Sequence, residues 1–173
     1  MTDASVSLPH ATTGERMTDA TTIARMIESA DGHPVLHPSG ARMNIKVFAA
    51  ETGGAYSLME TVLPPGGTVP LHIHEDEDEN NFILEGELTM LIGEVQYTAK
   101  AGSYVVAPKG ITQQFHNAGT APCRFLTTFT PGGAEGFFKE AGELVRLAAP
   151  GKPSVDALAA LQRKYKLRYL PAA

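Results

Sequence analysis

His72-Ile73-His74 sets two imidazoles two residues apart, and Glu79 follows after four more residues. Alternate residues of an extended strand point the same way, so His72 and His74 share a face. Two neutral imidazoles and one carboxylate suit a borderline divalent ion and leave positions open for water, oxygen or substrate. Strand counting puts Glu79 out of phase with the two histidines. A bend through residues 75–78 therefore has to re-aim the chain if Glu79 is to point inward. A His-x-His pair alone is also what chance leaves on an exposed edge, so its surroundings decide the reading.

Those surroundings are ordered. Gly66 stands six residues before His72 and Gly86 seven after Glu79, and Gly102, Pro108, Gly110 and Asn117 follow downstream. Short β-like runs punctuated by Gly and Pro fill residues 41–131: 41–49, 56–63, 69–74, 81–85, 88–92, 95–98, 103–107, 112–117 and 123–130. Many strands at this spacing without interleaved helices indicate a sandwich or small barrel. Residues 84–88 and 92–95 read as tight hairpins. Pro108-Lys109-Gly110 turns the chain so that Gln113, Phe115 and Asn117 face one way, and Gln114 and His116 the other.

The flanks differ. Met1-Thr2-Asp3-Ala4 reappears as Met17-Thr18-Asp19-Ala20, and residues 1–16 read as a disordered leader. Within an N-terminal arm, 17–40, Ile23, Met26 and Ile27 behind Thr18 and Asp19 predict a short helix over 18–30. His33 and His37 lie in turn-rich sequence and read as loop residues. After Pro131 the period changes, and 132–173 reads as a helical segment. Phe137, Phe138, Ala141, Leu144, Val145 and Leu147 fit one helix face. Beyond the break at 150–153, Ser154 caps a second helix with Val155, Leu158, Leu161 and Tyr165 in its stripe. Both stripes are expected to pack on the barrel exterior.

The glycine, histidine and glutamate spacing resembles the two motifs of the cupin superfamily. The first, Gly-x5-His-x-His-x4-Glu-x6-Gly, is met in full by Gly66, His72, His74, Glu79 and Gly86. The second, Gly-x5-Pro-x-Gly-x2-His-x3-Asn, is met by Gly102, Pro108, Gly110 and Asn117, with Gln113 at the histidine position. The implied fold is all-β: a double-stranded β-helix, or jelly-roll barrel, over 41–131 with helices packed outside. Among the carboxylates, Glu77 and Asp78 compete with Glu79, which alone keeps the motif spacing. Within the superfamily the chain looks most like small single-domain cupins of the quercetin 2,3-dioxygenase-like kind. Glu77-Asp78-Glu79, Leu84-Glu85-Gly86-Glu87, Pro108-Lys109-Gly110, Pro131-Gly132-Gly133 through Phe137-Phe138, and the tail 159–170 carry that likeness.

Enzymes of that kind bind Ni, Fe, Mn, Co or Cu, place an enol-bearing aromatic on the metal and add dioxygen across a ring bond. The resemblance implies one divalent transition metal on His72, His74 and Glu79, with Glu79 also a proton acceptor from the substrate hydroxyl. The family's fourth ligand falls on Gln113. An amide oxygen is a harder, weaker donor than imidazole. Gln113 thus stands open between a ligand, a hydrogen-bond partner of water or substrate, and the lining of a site without metal; His116 is the minor alternative, on the opposite face. Asn81 occupies a place where such sequences usually carry an aromatic residue, and alternation from Glu79 points it inward. Asn81, Ile83, Phe115 and Met59 are the expected substrate-binding residues, although core packing explains the apolar ones equally well. A Zn-dependent, non-oxidative cyclase or isomerase of a polyketide-type substrate is the second reading, and a ligand-binding cupin without turnover the third. A homodimer is the family's default.

Composition narrows the rest. The chain of 173 residues, 43% hydrophobic and 19% charged, is enough for one domain with a sizeable core. Net charge is −5, but residues 75–79 are five consecutive acids, and without them 14 acids face 14 bases. The basic stripe that a phosphate backbone needs is missing, so nucleic acid is not an expected partner. Arg163, Lys164, Lys166 and Arg168 read as a solvated face. No apolar run reaches membrane-spanning length and no signal peptide is evident, so neither membrane nor export is expected. Cys123, the single cysteine, fits a cytoplasmic location and reads as a small hydrophobe.

Overall fold

The computed structural model describes residues 25–37 and 41–171. Alternation of side chains becomes alternation of burial. In β3 (Ser57–Leu63) every second residue from Ser57 is buried, and β10 (Cys123–Thr130) repeats the pattern from Cys123 to Phe129. These two strands pair antiparallel at the centre of a six-stranded sheet. Its order adds β1 (His33–Leu36) and β2 (Arg42–Val47) on one side, and β5 (Asp78–Glu85) and β8 (Tyr104–Ala107) on the other. A five-stranded sheet runs β11 (Leu167–Tyr169), β4 (Thr68–His74), β9 (Gln113–His116), β6 (Glu87–Ile92), β7 (Val95–Lys100). Ile45, Met59, Leu63 and Ile83 from the first sheet join Leu88, Met90 and Phe115 from the second in one core. The fold is the all-β two-sheet barrel expected from sequence.

Residues 84–88 do not form the expected hairpin. β5 pairs with β10 and β8, β6 with β7 and β9, so the chain leaves one sheet for the other at Gly86. Gly86 has φ of +78°, and a Cβ there would come within 2.9 Å of the Pro122 carbonyl oxygen. Both facts demand glycine. The 92–95 turn does join two paired strands, β6 and β7.

The short helix expected over 18–30 is not supported. Residues 1–24, including the expected leader, lie outside the described residues, and 25–30 are irregular, ending in a turn. The buried Lys46 ammonium gathers this turn, donating to the carbonyls of Ser29 and Asp31, each at 2.7 Å, and to that of Glu28 at 3.4 Å.

Two helices follow the barrel, as expected: α1 (Glu135–Ala148) and α2 (Val155–Lys164). Glu135 anchors α1, accepting from the Ala49 and Gly133 amides. Phe137, Phe138 and Ala141 are buried, but Leu147 is exposed, so the buried stripe ends earlier than its periodicity implied. Gly142 lets α1 lie close on Val35 of β1. Ser154 caps α2, accepting from the Ala157 amide. Leu158, Leu161 and Tyr165 pack against the core, whereas Val155 at the helix start is exposed. The chain then turns through Lys166 into β11, a strand that its three-residue length hid in the sequence.

Candidate metal centre

β4 approaches the site with an irregularity that serves it. Val69 pairs with Phe115, yet His72 pairs with Gln113, so one extra residue enters β4 between them. Pro70, with no N–H to lose, sits in this bulge. The bulge shifts the phase, and Val69 and His72, three apart, both line the same cavity. The Pro70 carbonyl accepts from His72 Nδ1 at 2.8 Å. A carbonyl can only accept, so Nδ1 carries the proton, and in the neutral ring Nε2 presents a lone pair inward.

Glu79 arrives from the other sheet. β4 ends at His74 and β5 begins at Asp78, so strand phase is not carried across residues 75–77, and Glu79, Asn81 and Ile83 are the buried face of β5. Glu79 Oε2 lies 3.2 Å from His72 Nε2, 3.1 Å from His74 Nε2 and 2.8 Å from Gln113 Nε2, which donates to it. One donor atom from each of His72, His74 and Glu79 falls within 4.8 Å of the others, and all three side chains are buried.

The donor set fits a cation. A bare imidazole lone pair facing a carboxylate oxygen across 3.2 Å, away from water, is repulsive until a proton or metal lies between. The Gln113 Oε1 atom is buried without a hydrogen-bond partner, and the ring nitrogens of His74 make no aligned hydrogen bond although carboxylate oxygens lie 3.1 and 3.8 Å away. Burial opposes charge on His74, but the adjacent Glu77 and Glu79 carboxylates outweigh it and raise its pKa to about 9. Burial likewise opposes charge on Glu79, and the His72 and His74 rings outweigh it, bringing its pKa down to about 2. Glu77 does not compete as a ligand from this position: its Oε2 lies 3.8 Å from His74 Nδ1, the nitrogen turned away from Glu79. Asp78 points elsewhere, accepting from the Lys109 amide.

A small cavity of about 30 Å³ opens on the site, walled by Met43, Met59, Val69, Phe115 and Phe125 and closed by Phe138, Tyr169 and His37. Two of the four expected substrate-binding residues, Met59 and Phe115, line it. Asn81 and Ile83 face inward but do not; the Asn81 Oδ1 atom accepts from Thr127 at 2.8 Å. His116 stands on the other face of β9, and Asn117 is structural, its amide donating to the Leu63 and Ala121 carbonyls. His37, read as a loop residue, reaches the cavity instead, where burial, then the charge of His72, lower its pKa to about 4. Tyr169 was not among the expected site residues. Its β11 register sets it opposite His72, with the rings 5.8 Å apart.

A cupin domain model matches residues 59–129, which hold both histidines, Glu79 and Gln113. These residues form a cupin domain. Among curated proteins this cupin is similar to germin-like protein 1 of Brassica napus, with 33% identity over 48% of this chain and 42% of the other. The match thus spans less than half the length of that relative. Among solved structures it resembles a predicted oxalate decarboxylase from Thermotoga maritima, with a TM-score of 0.57 and 24% identity over 62% of this chain and 99% of the other. It also resembles the polyketide cyclase RemF from Streptomyces resistomycificus, with a TM-score of 0.55 and 18% identity over 62% and 80% of the two chains. Likeness at these identities shows the fold. Among the described residues no helix is long and apolar enough to cross a membrane.

Proposed function

We propose that this cupin is a metal-dependent dioxygenase, quercetin 2,3-dioxygenase-like, acting on a small enolic or phenolic molecule. One observation carries the reading: the His72, His74 and Glu79 donors open on a cavity walled by Met and Phe side chains, with no Lys or Arg among its lining residues. A dianionic substrate finds no fixed counter-charge in such a cavity, whereas the hydroxyl end of an uncharged molecule needs none. A redox-active divalent metal on these residues supplies Lewis acidity and electrons for dioxygen. The protein supplies the rest. Pro70 fixes the His72 tautomer, Gln113 holds Glu79 in place, and the ionised Glu79 accepts the substrate's hydroxyl proton or hydrogen bond. A homodimer belongs to this reading, supported by exposed Phe82, Tyr104 and Val106 on the outer face of β5 and edge strand β8.

The test is elemental analysis of protein purified without added metal, followed by oxygen uptake with a panel of catechols, enols and flavonols. Stoichiometric Fe, Ni, Mn, Co or Cu with oxygen consumption is expected, and the His72→Ala/His74→Ala double variant is expected to stay folded and lose the metal. Metal retained by that variant would refute the site. Gln113 favours a second reading, because two imidazoles with carboxylate and amide oxygens also suit Zn. Zn with turnover and no oxygen uptake would establish a non-oxidative cyclase or isomerase instead.

A further inference from the structure

The metal cavity is too small to hold a substrate by itself. Its volume of about 30 Å³ admits a few water-sized groups, not an aromatic molecule. A second cavity of about 170 Å³ lies beneath the C-terminal helices, lined by Pro70, Phe137, Ala141 and Leu158. His37 and Tyr169 line both cavities. The Tyr169 ring stands between one ring of each chamber, 5.8 Å from His72 inside and 6.2 Å from Phe137 outside.

We propose that the outer cavity is the antechamber of the metal site and Tyr169 its partition. The substrate passes Tyr169 only with its oxygenated end, and its ring-sized apolar body stays in the antechamber. This rests on the reading of His72, His74 and Glu79 as a metal site. The polarity of the two chambers supports the division. In the inner chamber Thr61 Oγ1 is buried without a hydrogen-bond partner, while Thr127 is already spent on Asn81. A substrate oxygen entering there meets a donor otherwise left unpaired. The antechamber offers mostly apolar surface. The partition is held by backbone pairing: β11 is bonded to β4 in the register Tyr169 to His72, and Gln162 of α2 accepts from the Tyr169 amide.

The test uses the cobalt(II)-loaded full chain and two probes, azide, which needs only the inner chamber, and 4-nitrocatechol, which needs both. Leu158→Cys puts a thiol in the antechamber, where benzylmaleimide adds a ring to the folded protein. Cys123 is buried, and burial pushes its thiol up to about 11, so the introduced thiol reacts selectively. Alkylation is expected to weaken 4-nitrocatechol binding by roughly tenfold or more and to leave azide within about twofold of the unalkylated protein. Tyr169→Ala, in parallel, is expected to speed 4-nitrocatechol association by roughly fivefold or more without changing that of azide. Unchanged 4-nitrocatechol binding after alkylation, or a loss shared equally by azide, would overturn the antechamber. Failure of the parent protein to develop cobalt ligand-field bands would instead overturn the metal site beneath it.

Discussion

Glu77 faces the far edge of the His74 ring: its Oε2 is 3.8 Å from Nδ1, while Nε2 on the other edge lies 3.1 Å from Glu79. The imidazole is thus gripped between two carboxylates, one inside the metal centre and one behind it. Its neighbours in the acidic run are equally committed. Glu75 pairs with Arg168, Asp76 with Lys166, and Asp78 accepts from the Lys109 amide. The five consecutive acids are five separate attachments, one of them to β11 and one to Lys166 in the turn before it.

A carboxylate behind a ligating histidine fixes its ring and raises its basicity, and its loss typically weakens metal binding 10- to 100-fold. Glu77→Gln is expected to do so with the barrel intact. A competition titration against a chelator reads the affinity, and an unchanged value would leave Glu77 no part in holding His74.

Metal binding is expected to release a proton at neutral pH. Without metal His74 titrates near 9, above its ordinary 6.5, so a cation arriving at pH 7 displaces its proton. Affinity then rises about tenfold per pH unit up to pH 9. The same groups set the stability of the metal-free protein. The raised His74 contributes fully below 6.5 and loses its contribution as pH climbs through 9; the depressed Glu79 contributes fully above 4.5 and loses it as pH falls through 2. Metal-free stability should therefore plateau between 4.5 and 6.5. Calorimetry in buffers of different ionisation enthalpy measures the released proton, and zero release would remove His74 from the ligand set.

The site was legible where spacing alone carries it and illegible where chain path does. His72, His74 and Glu79 stand in a local motif, and the alternation that buries Gln113, Phe115 and Asn117 needs no knowledge of partners. Glu79 looked out of phase only because strand counting assumes one continuous sheet, and here the chain changes sheets after His74. The bulge at Pro70 defeats the same counting for Val69. Tyr169 could not be found by any periodicity: it belongs to a three-residue strand whose place beside β4 is set by pairing across the whole chain. Asn81, read as inward, and Ile83, expected at the substrate, are both buried, but inward is not the same as lining the cavity.

Gln113 tests how close its own side chain comes to the metal. It donates through Nε2 to Glu79 at 2.8 Å and leaves Oε1 buried and unpaired. Replacing it by histidine supplies a better nitrogen donor at the same register position opposite His72. Gln113→His is expected to tighten metal binding by roughly tenfold or more. Affinity that stays the same or falls would place position 113 outside the coordination sphere.

The last prediction separates local from global stability. Lys166–Asp76 and Arg168–Glu75 are surface pairs, with every partner more than a third exposed, so each contributes about 0–1 kcal/mol and is screened by salt. Lys166→Ala/Arg168→Ala should therefore barely move the unfolding midpoint. β11, however, is short, lies at a sheet edge and has β4 as its one strand neighbour, so losing the two pairs loosens it before it loosens the core. Its exchange with solvent should report the loss while the core does not. Hydrogen exchange at the amides of residue 168 and Leu170, which face β4, is expected to rise roughly tenfold in the double variant, with β3 and β10 unchanged, and high salt should produce the same effect in the parent protein. Equal protection in variant and parent would mean that backbone pairing and Tyr169 packing alone keep β11 against the metal strand.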